Sequence, residues 1–389
     1  MPWVKIKHGK LSVNKRREPY RLLSALVIIL IALGLVVIYM WNRPLGPTLQ
    51  LPTRTSAESS APSALVQPGE VVVEAEDSAA PQPAATSETQ SSTQLIPKGE
   101  TVCGGPEVMT ILLIGSDYRG EGYLYGLADA IRVVRIDFAT PAVAVLDFPR
   151  DLWVEIPGLS DHYNLTHGKL NQAYFFGTPG MGYYDGPGEG AGLLARTIDL
   201  NFNLPVDHYL TLQMKTLSEA VDAVGGVEIT FDSAVDLNAV VGPTYAELLF
   251  DPGTYHFDGE LAVHLVTSRK PSIFQRTRYQ NMLIFALRDK LLSPEMRLKI
   301  PGLVIDFIGD TQTDLSPNDI NKLICIAEAI TRENIHIASF PEELFTPGHR
   351  YDTYRGVNTF VEEADFELLR EYSAQFLDGS WPAPCGLMT

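Results

Sequence analysis

Asp117, Arg119, Asp129, Arg150 and Asp151 fall within forty residues, each near the end of a strand-like apolar run. The first run, ILLIGSDYR from Ile111, breaks at Gly115 and delivers Asp117 and Arg119; AIRVVRID alternates like a strand and starts beside Asp129. A third run, VAVLDFPRD, ends in Pro149, Arg150 and Asp151. Carboxylates and guanidinium groups where buried strands emerge are suited to holding a metal ion together with an anionic ligand. That chemistry points to a phosphate-bearing substrate.

The elements that must position these groups follow the same order of reading. LNQAYFFG and GLLARTIDLNF have helical spacing, HYLTLQM reads as a strand, and KTLSEAVDAVGG reads as a helix stopped by Gly225 and Gly226, with VEITF a strand beyond. DGELAVHLVTS and RYQNMLIFALRDKLL predict helices, SPNDINKLICIAEAI a helix capped by Ser316, and NIHIASF a late strand. This alternation predicts an α/β fold, a central mixed β-sheet flanked by helices, in one domain over 106–389. The chain shows no repeat period, GxGxxG or Walker-type loop, and the Gly-rich stretch 177–192 reads as a surface loop leading into a helix.

Leu22 to Trp41 is an apolar run of about twenty residues, long enough for a helix to cross a bilayer core of roughly 30 Å. Residues 1–21 carry seven basic side chains against the single acid Glu18, which places that segment in the cytoplasm and exports the rest. A cleaved signal peptide has a shorter apolar core of about 7–15 residues and a small-residue cleavage site, so 22–41 is expected to be an uncleaved anchor. Residues 42–105, rich in Pro, Ser, Thr and Ala, are expected to form a disordered tether with an end-to-end distance on the order of 40 Å. A strand at EVVVEAE from Glu70 would have no neighbour to pair with.

The formal charge of −17 understates the acidity of the exported portion, because the basic leader offsets part of it. An acidic exterior argues against nucleic acid as a partner, since phosphate-backbone binding draws on an excess of Lys and Arg. An anion site must therefore be local and is expected to need a divalent cation. Three cysteines allow one disulfide: Cys103 and Cys385 flank the domain and are candidates to fasten its ends, while Cys325, inside KLICIAEAI, reads as a small core residue. No zinc-ligand spacing is present, and the scattered His162, His167 and His264 suggest no general base.

Six segments in order, ILLIGSDYR, LADAIRVVRID, FPRDLWVEIPG, HGKLNQAY, VDHYLTLQMKTLSEAVDAVGGVEI and FDGELAVHL followed by Arg269, Arg276 and Gln280, resemble the LytR-CpsA-Psr family. The resemblance covers roughly the central half of the chain, and the single-span topology agrees with it. It implies a membrane-anchored, extracytoplasmic phosphotransferase of cell-wall biogenesis that moves a glycopolymer from a polyprenyl-pyrophosphate carrier to peptidoglycan with the help of Mg2+. By motif position, Asp117 and Asp129 would hold the magnesium and either could take the acceptor's proton. Arg119, Arg150, Arg269 and Arg276 would clamp phosphate oxygens, with Gln280 a neutral donor. Phosphoryl transfer asks for this combination of metal and Arg around spread negative charge.

The chain also departs from the family pattern. Leu127 stands where an Arg usually precedes the Ser/Thr-Asp pair, Thr267 and Tyr279 occupy two further Arg positions, and no acid precedes Arg276. Arg278 is adjacent and could reach the same space as the Arg missing at 279. Two readings follow: an active transferase with a thinner Arg clamp, or a pyrophosphate-lipid and cell-wall binding module of the same fold with little turnover. For the lipid tail, the apolar helices around Ala262 to Leu265 and Met282 to Leu287 are candidates to line a groove.

Overall fold

The computed structural model describes residues 39–50, 101–118, 123–240, 243–268, 270 and 273–382. In chain order its principal elements are β1 (Val108–Ser116), β2 (Ala128–Asp137), β3 (Ala142–Asp147), α1 (Leu170–Gly177), α2 (Glu189–Phe202), β4 (His208–Gln213) and α3 (Met214–Ala223). There follow α4 (Gly259–Thr267), α5 (Ile273–Leu291), β5 (Gln312–Thr313), α6 (Pro317–Ala329), β6 (Ile335–Ser339), β7 (Phe345–Asp352), β8 (Val357–Ala364) and α7 (Phe366–Asp378).

Six strands form a sheet in the order β5-β4-β1-β2-β3-β6. β1 runs parallel to β4 and antiparallel to β2, β2 is antiparallel to β3, and β3 is parallel to β6, so the sheet is mixed as expected. Its central strands are apolar on both faces because each face is covered. Leu112, Ile114, Ile131 and Val133 point into a core shared with α1, α2 and α7. Met109, Ile111, Val134 and Ile136 point the other way, towards Ile326 of α6. A third apolar cluster joins α3, α4 and α5 to the hairpin Val227–Phe231/Gly253–Phe257.

The predicted helix starts agree with the caps observed. Ser316 accepts from the Asp319 N–H while the Asp319 carboxylate reaches back to the Ser316 N–H, a reciprocal capping box behind Pro317. Asp258 caps α4 through the Leu261 N–H. Gly225 and Gly226 both have positive φ directly after α3, where the chain turns into the next strand.

Two expectations need correction. Cys103 is bonded to Cys325, with Cα atoms 5.9 Å apart, so Cys325 is no isolated core residue and Cys103 is not the partner of Cys385, which lies outside the described residues. The apolar spacing of α6 conceals this, because a helix presents a half-cystine to its packed face as readily as a thiol. The disordered tether also cannot extend over all of 42–105. Leu45 donates its N–H to the Leu315 carbonyl at 3.2 Å, and Leu49 is 2% exposed within the main core. Gly46 passes so close to β5 that a Cβ there would lie 2.7 Å from the Thr313 carbonyl oxygen. Residues 43–50 are thus a strap on the domain, and Val102–Gly104 forms a 3-10 turn held by the disulfide.

The apolar run 22–41 lies outside the described residues except for 39–41, which are helical and exposed. Among the described residues no helix is long and apolar enough to cross a membrane. The stretch at Glu70 is likewise outside them. Because the disulfide closes a loop of 222 residues, the chain-entropy model gives it a stabilisation of about 5 kcal/mol. Reduction, or Cys325→Ala, should lower the thermal midpoint by several degrees without changing far-UV circular dichroism below the transition.

Candidate active site

Gly115 pairs with Ala130 but Ser116 pairs with Ala128, so Asp129 is the extra residue of a β-bulge between β1 and β2. A bulge re-aims a side chain that regular pleating would send elsewhere. Here it turns Asp129 into a cavity of about 610 Å3 at the end of the sheet. Arg150, from the turn after β3, pairs with one carboxylate oxygen of Asp129. Arg276 of α5 donates from Nη2 to the other at 3.2 Å. All three side chains are at most 22% exposed.

The groups around this triad are held in turn. Arg150 Nε reaches Asp151 at 3.2 Å, and Lys169 Nζ reaches the other Asp151 oxygen at 2.7 Å. Arg276 Nε donates to the Val266 carbonyl at the end of α4. Burial works against the charge of Arg150, yet Asp129 and Asp151 outweigh it and raise its pKa above the ordinary value. On β2, Arg132 pairs with Asp147 at 2.9 Å and donates to Gln280 Oε1 at 3.0 Å, while Thr277 donates to the second Asp147 oxygen. Burial pushes the Asp147 carboxyl up, opposed by Arg132 and then Thr277.

Of the residues expected from sequence, the structure gathers Asp129, Arg150, Arg276, Arg278 and Gln280 on the cavity wall. Arg119 and Arg269 lie outside the described residues. Asp117 is not part of the wall: it is exposed, and its Oδ1 accepts the Leu127 N–H at 2.7 Å, closing the turn between β1 and β2. Tyr279 is 2% exposed within the third apolar cluster, so the side chain at that position belongs to the core, whereas Arg278 beside it faces the cavity. The groove expected at Ala262 to Leu265 and Met282 to Leu287 is ordinary packing, with Ala262 and Leu265 fully buried. The cavity's apolar wall comes instead from Phe148, Phe340, Phe345 and Pro347.

Glu362 and Asp147 on the wall were not legible from sequence. Glu362 comes from β8, where its N–H donates to the Asp151 carbonyl at 3.0 Å. Burial and then Asp151 raise its pKa above the ordinary glutamate value. No local motif marks it, since it enters more than two hundred residues after Asp129.

As a magnesium site the donor set is partial. Asp117 and Asp129 stand at the same end of β1 and β2, and Asp117 Oδ1 accepts the Leu127 N–H. Both Asp129 oxygens are engaged by guanidinium groups. Among the described residues no cluster of three His, Cys, Asp or Glu could hold a metal. One or two carboxylates completed by substrate phosphates and water is a usual arrangement for Mg2+, and Asp129 would have to exchange a guanidinium contact to take part in one.

The LytR_cpsA_psr family model matches residues 71–369. The chain belongs to this family. A polyisoprenyl-teichoic acid--peptidoglycan teichoic acid transferase TagU of Oceanobacillus iheyensis is 30% identical over 222 residues, which are 56% of this chain and 62% of that protein. The alignment thus spans somewhat under two thirds of that relative. Among solved structures, Bacillus subtilis TagV superposes with a TM-score of 0.53 at 23% identity, over 70% of this chain and 98% of that one. TagT bound to LI-WTA superposes with a TM-score of 0.52 at 21% identity, over 72% and 94%. These two likenesses establish the shared α/β fold of the family.

Removing the Asp129 carboxylate would leave two largely buried guanidinium groups facing each other. Asp129→Ala should therefore cost about 1–3 kcal/mol in urea unfolding, whereas Asp117→Ala, at an exposed turn, should cost under about 1 kcal/mol.

Proposed function

We propose that this protein is an extracytoplasmic phosphotransferase that moves a glycopolymer from a polyprenyl-pyrophosphate carrier to peptidoglycan. The observation that carries this reading is the cavity in which Arg150, Arg276 and Arg278 converge around Asp129 beside an aromatic wall. A guanidinium offers a planar set of donors matched to phosphate oxygens, and Phe148 and Phe340 supply the apolar side that a lipid-linked pyrophosphate requires. Family membership and the activity for which the TagU relative is named support the same reading. The apolar run 22–41 would anchor the domain outside the membrane, and a disulfide suits an oxidising compartment.

In the proposed reaction an acceptor hydroxyl attacks the sugar-linked phosphorus. The new P–O bond joins glycopolymer phosphate to acceptor, the bond to the distal phosphate breaks, and polyprenyl phosphate departs. Arg150 and Arg276 bind the phosphoryl oxygens and oppose their spread charge; Arg278 extends the clamp. Asp117 and Asp129 would hold Mg2+, which when bound would neutralise charge on the pyrophosphate. The acceptor's proton is assigned to Glu362, which lies on the cavity wall and whose carboxyl is held above the ordinary glutamate value by burial and then by Asp151.

Full-length protein in detergent with a polyprenyl-pyrophosphate glycan, Mg2+ and a peptidoglycan acceptor should release polyprenyl phosphate. Arg150→Ala should slow this at least a hundredfold. Binding of the lipid without any turnover would instead support the binding-module reading, which the loss of Arg at 127, 267 and 279 favours.

The Glu362 assignment has its own signature. A base must be ionised, so the rate should climb with pH through a value above the ordinary glutamate range. Glu362→Gln should lower kcat by about 10²–10⁴ and abolish that acidic limb. An unchanged limb would remove Glu362 from the mechanism.

A further inference from the structure

The hairpin β7–β8 that carries Glu362 and Pro347 to the cavity runs on to a turn at 353–356, where Tyr354 is 39% exposed. The Tyr354 ring packs against Phe175 and Phe176 of α1 at centroid distances of 5.6 and 5.3 Å. Tyr183 lies beside them, 6.4 Å from Tyr354, and His162 stacks flat on it at 4.5 Å and 8°. Tyr163 completes the group, leaning on Tyr183 at 6.2 Å while 72% exposed.

Two observations distinguish this surface from incidental packing. Tyr163 and Asn164 are consecutive non-glycine residues at φ 55°, a conformation that costs free energy for side chains with a Cβ and that persists where the surroundings enforce it. The platform is also fastened to the reaction site by two rigid routes. Asn171 N–H donates to the Arg150 carbonyl at 3.1 Å, and Phe175 and Phe176 follow on the same helix, roughly 6–8 Å along its axis. Gln172 of that helix donates to Asp352 at 2.8 Å, pinning the far end of the hairpin.

The geometry points to a saccharide-binding platform: the exposed rings of Tyr163 and Tyr354, with Tyr183 packed between His162 and Phe176 as their support, bind sugar faces of a neutral glycan strand, the acceptor, a few sugar residues from the reacting phosphorus. Flat aromatic rings with polar tips match a pyranose, which has an apolar face rimmed by hydroxyls. Asp161 and Asp185 are exposed close in sequence to Tyr163 and Tyr183, and Arg355 follows Tyr354, so the surface has no excess of positive charge to favour a polyanionic polymer over an uncharged strand. The acceptor assignment rests on the transfer reaction proposed above; the sugar platform itself does not.

The test uses full-length protein in detergent and a β-1,4-linked N-acetylglucosamine oligomer as probe, with a poly(glycerol phosphate) of similar length as the anionic counterpart. Calorimetry should show binding of the neutral oligomer alone. Tyr163→Ala and Tyr354→Ala should each weaken it about tenfold, while Tyr163→Phe should bind within a few-fold of wild type. Hydrogen exchange on the unmodified protein should slow at 161–164 and 353–356 when the oligomer is added, a readout independent of whether variants fold. In the transfer assay the same Ala variants should raise the KM for polymeric acceptor and leave kcat unchanged. Absence of oligomer binding, equal binding by the Ala variants, preference for the anionic polymer, or a change in sedimentation that marks the rings as a self-association surface would each overturn the platform. Ring-dependent glycan binding in a protein without transfer activity would sustain the platform and reject the transferase reading alone.

Discussion

The site depends on one carboxylate shared between two guanidinium groups. Asp129 lies at the end of a largely apolar sheet, where an unpaired charge would be costly to bury. Arg150 and Arg276 occupy its two oxygens, and each is tied elsewhere, to Asp151 and to the Val266 carbonyl. The triad alone carries one net positive charge, and its contacts hold both arginines in place before any ligand arrives. Preorganised donors are what an anionic transition state requires, because no reorganisation is then paid during the reaction.

That one contact also sets the relation between parts of the fold. Asp129 comes from the β1–β2 bulge, Arg150 from the turn after β3, and Arg276 from α5, whose other side packs into the cluster with α3 and α4. A parallel link between Arg132, Asp147, Thr277 and Gln280 joins the same helix to the same sheet. The polar groups therefore fasten two apolar bodies together at the mouth of the cavity. On the opposite flank, Lys169 and Asp151 tie the β3 turn to the start of α1, and through α1 to the hairpin β7–β8.

Much of this was legible in the residue order. The period-two runs at 108–116 and 128–137 and the capped helix after Ser316 appear where patterning places them, since local sterics and burial on a face act within a few residues. The ordered motifs around Asp117, Asp129 and Arg150 were enough to indicate the family. The bulge was not legible: it shifts register by one residue and leaves no mark in composition. The strap at 43–50 was hidden for a related reason, as its Pro and Gly content resembles the linker beyond it while a single Leu49 supplies the anchor in the core.

The sequence by itself determined the element types, the acidic composition, the apolar run at 22–41 and the ionic residues near Asp129, because each is a property of neighbouring residues. Only the tertiary structure decided that Asp129 faces the cavity while Asp117 closes a turn, that Cys103 pairs with Cys325, that Glu362 joins the arginines on the cavity wall, and that Tyr354 packs on Phe175 and Phe176. These depend on contacts between segments tens to hundreds of residues apart. Such contacts are set by how covered faces pack against one another, and no local pattern of residues encodes that.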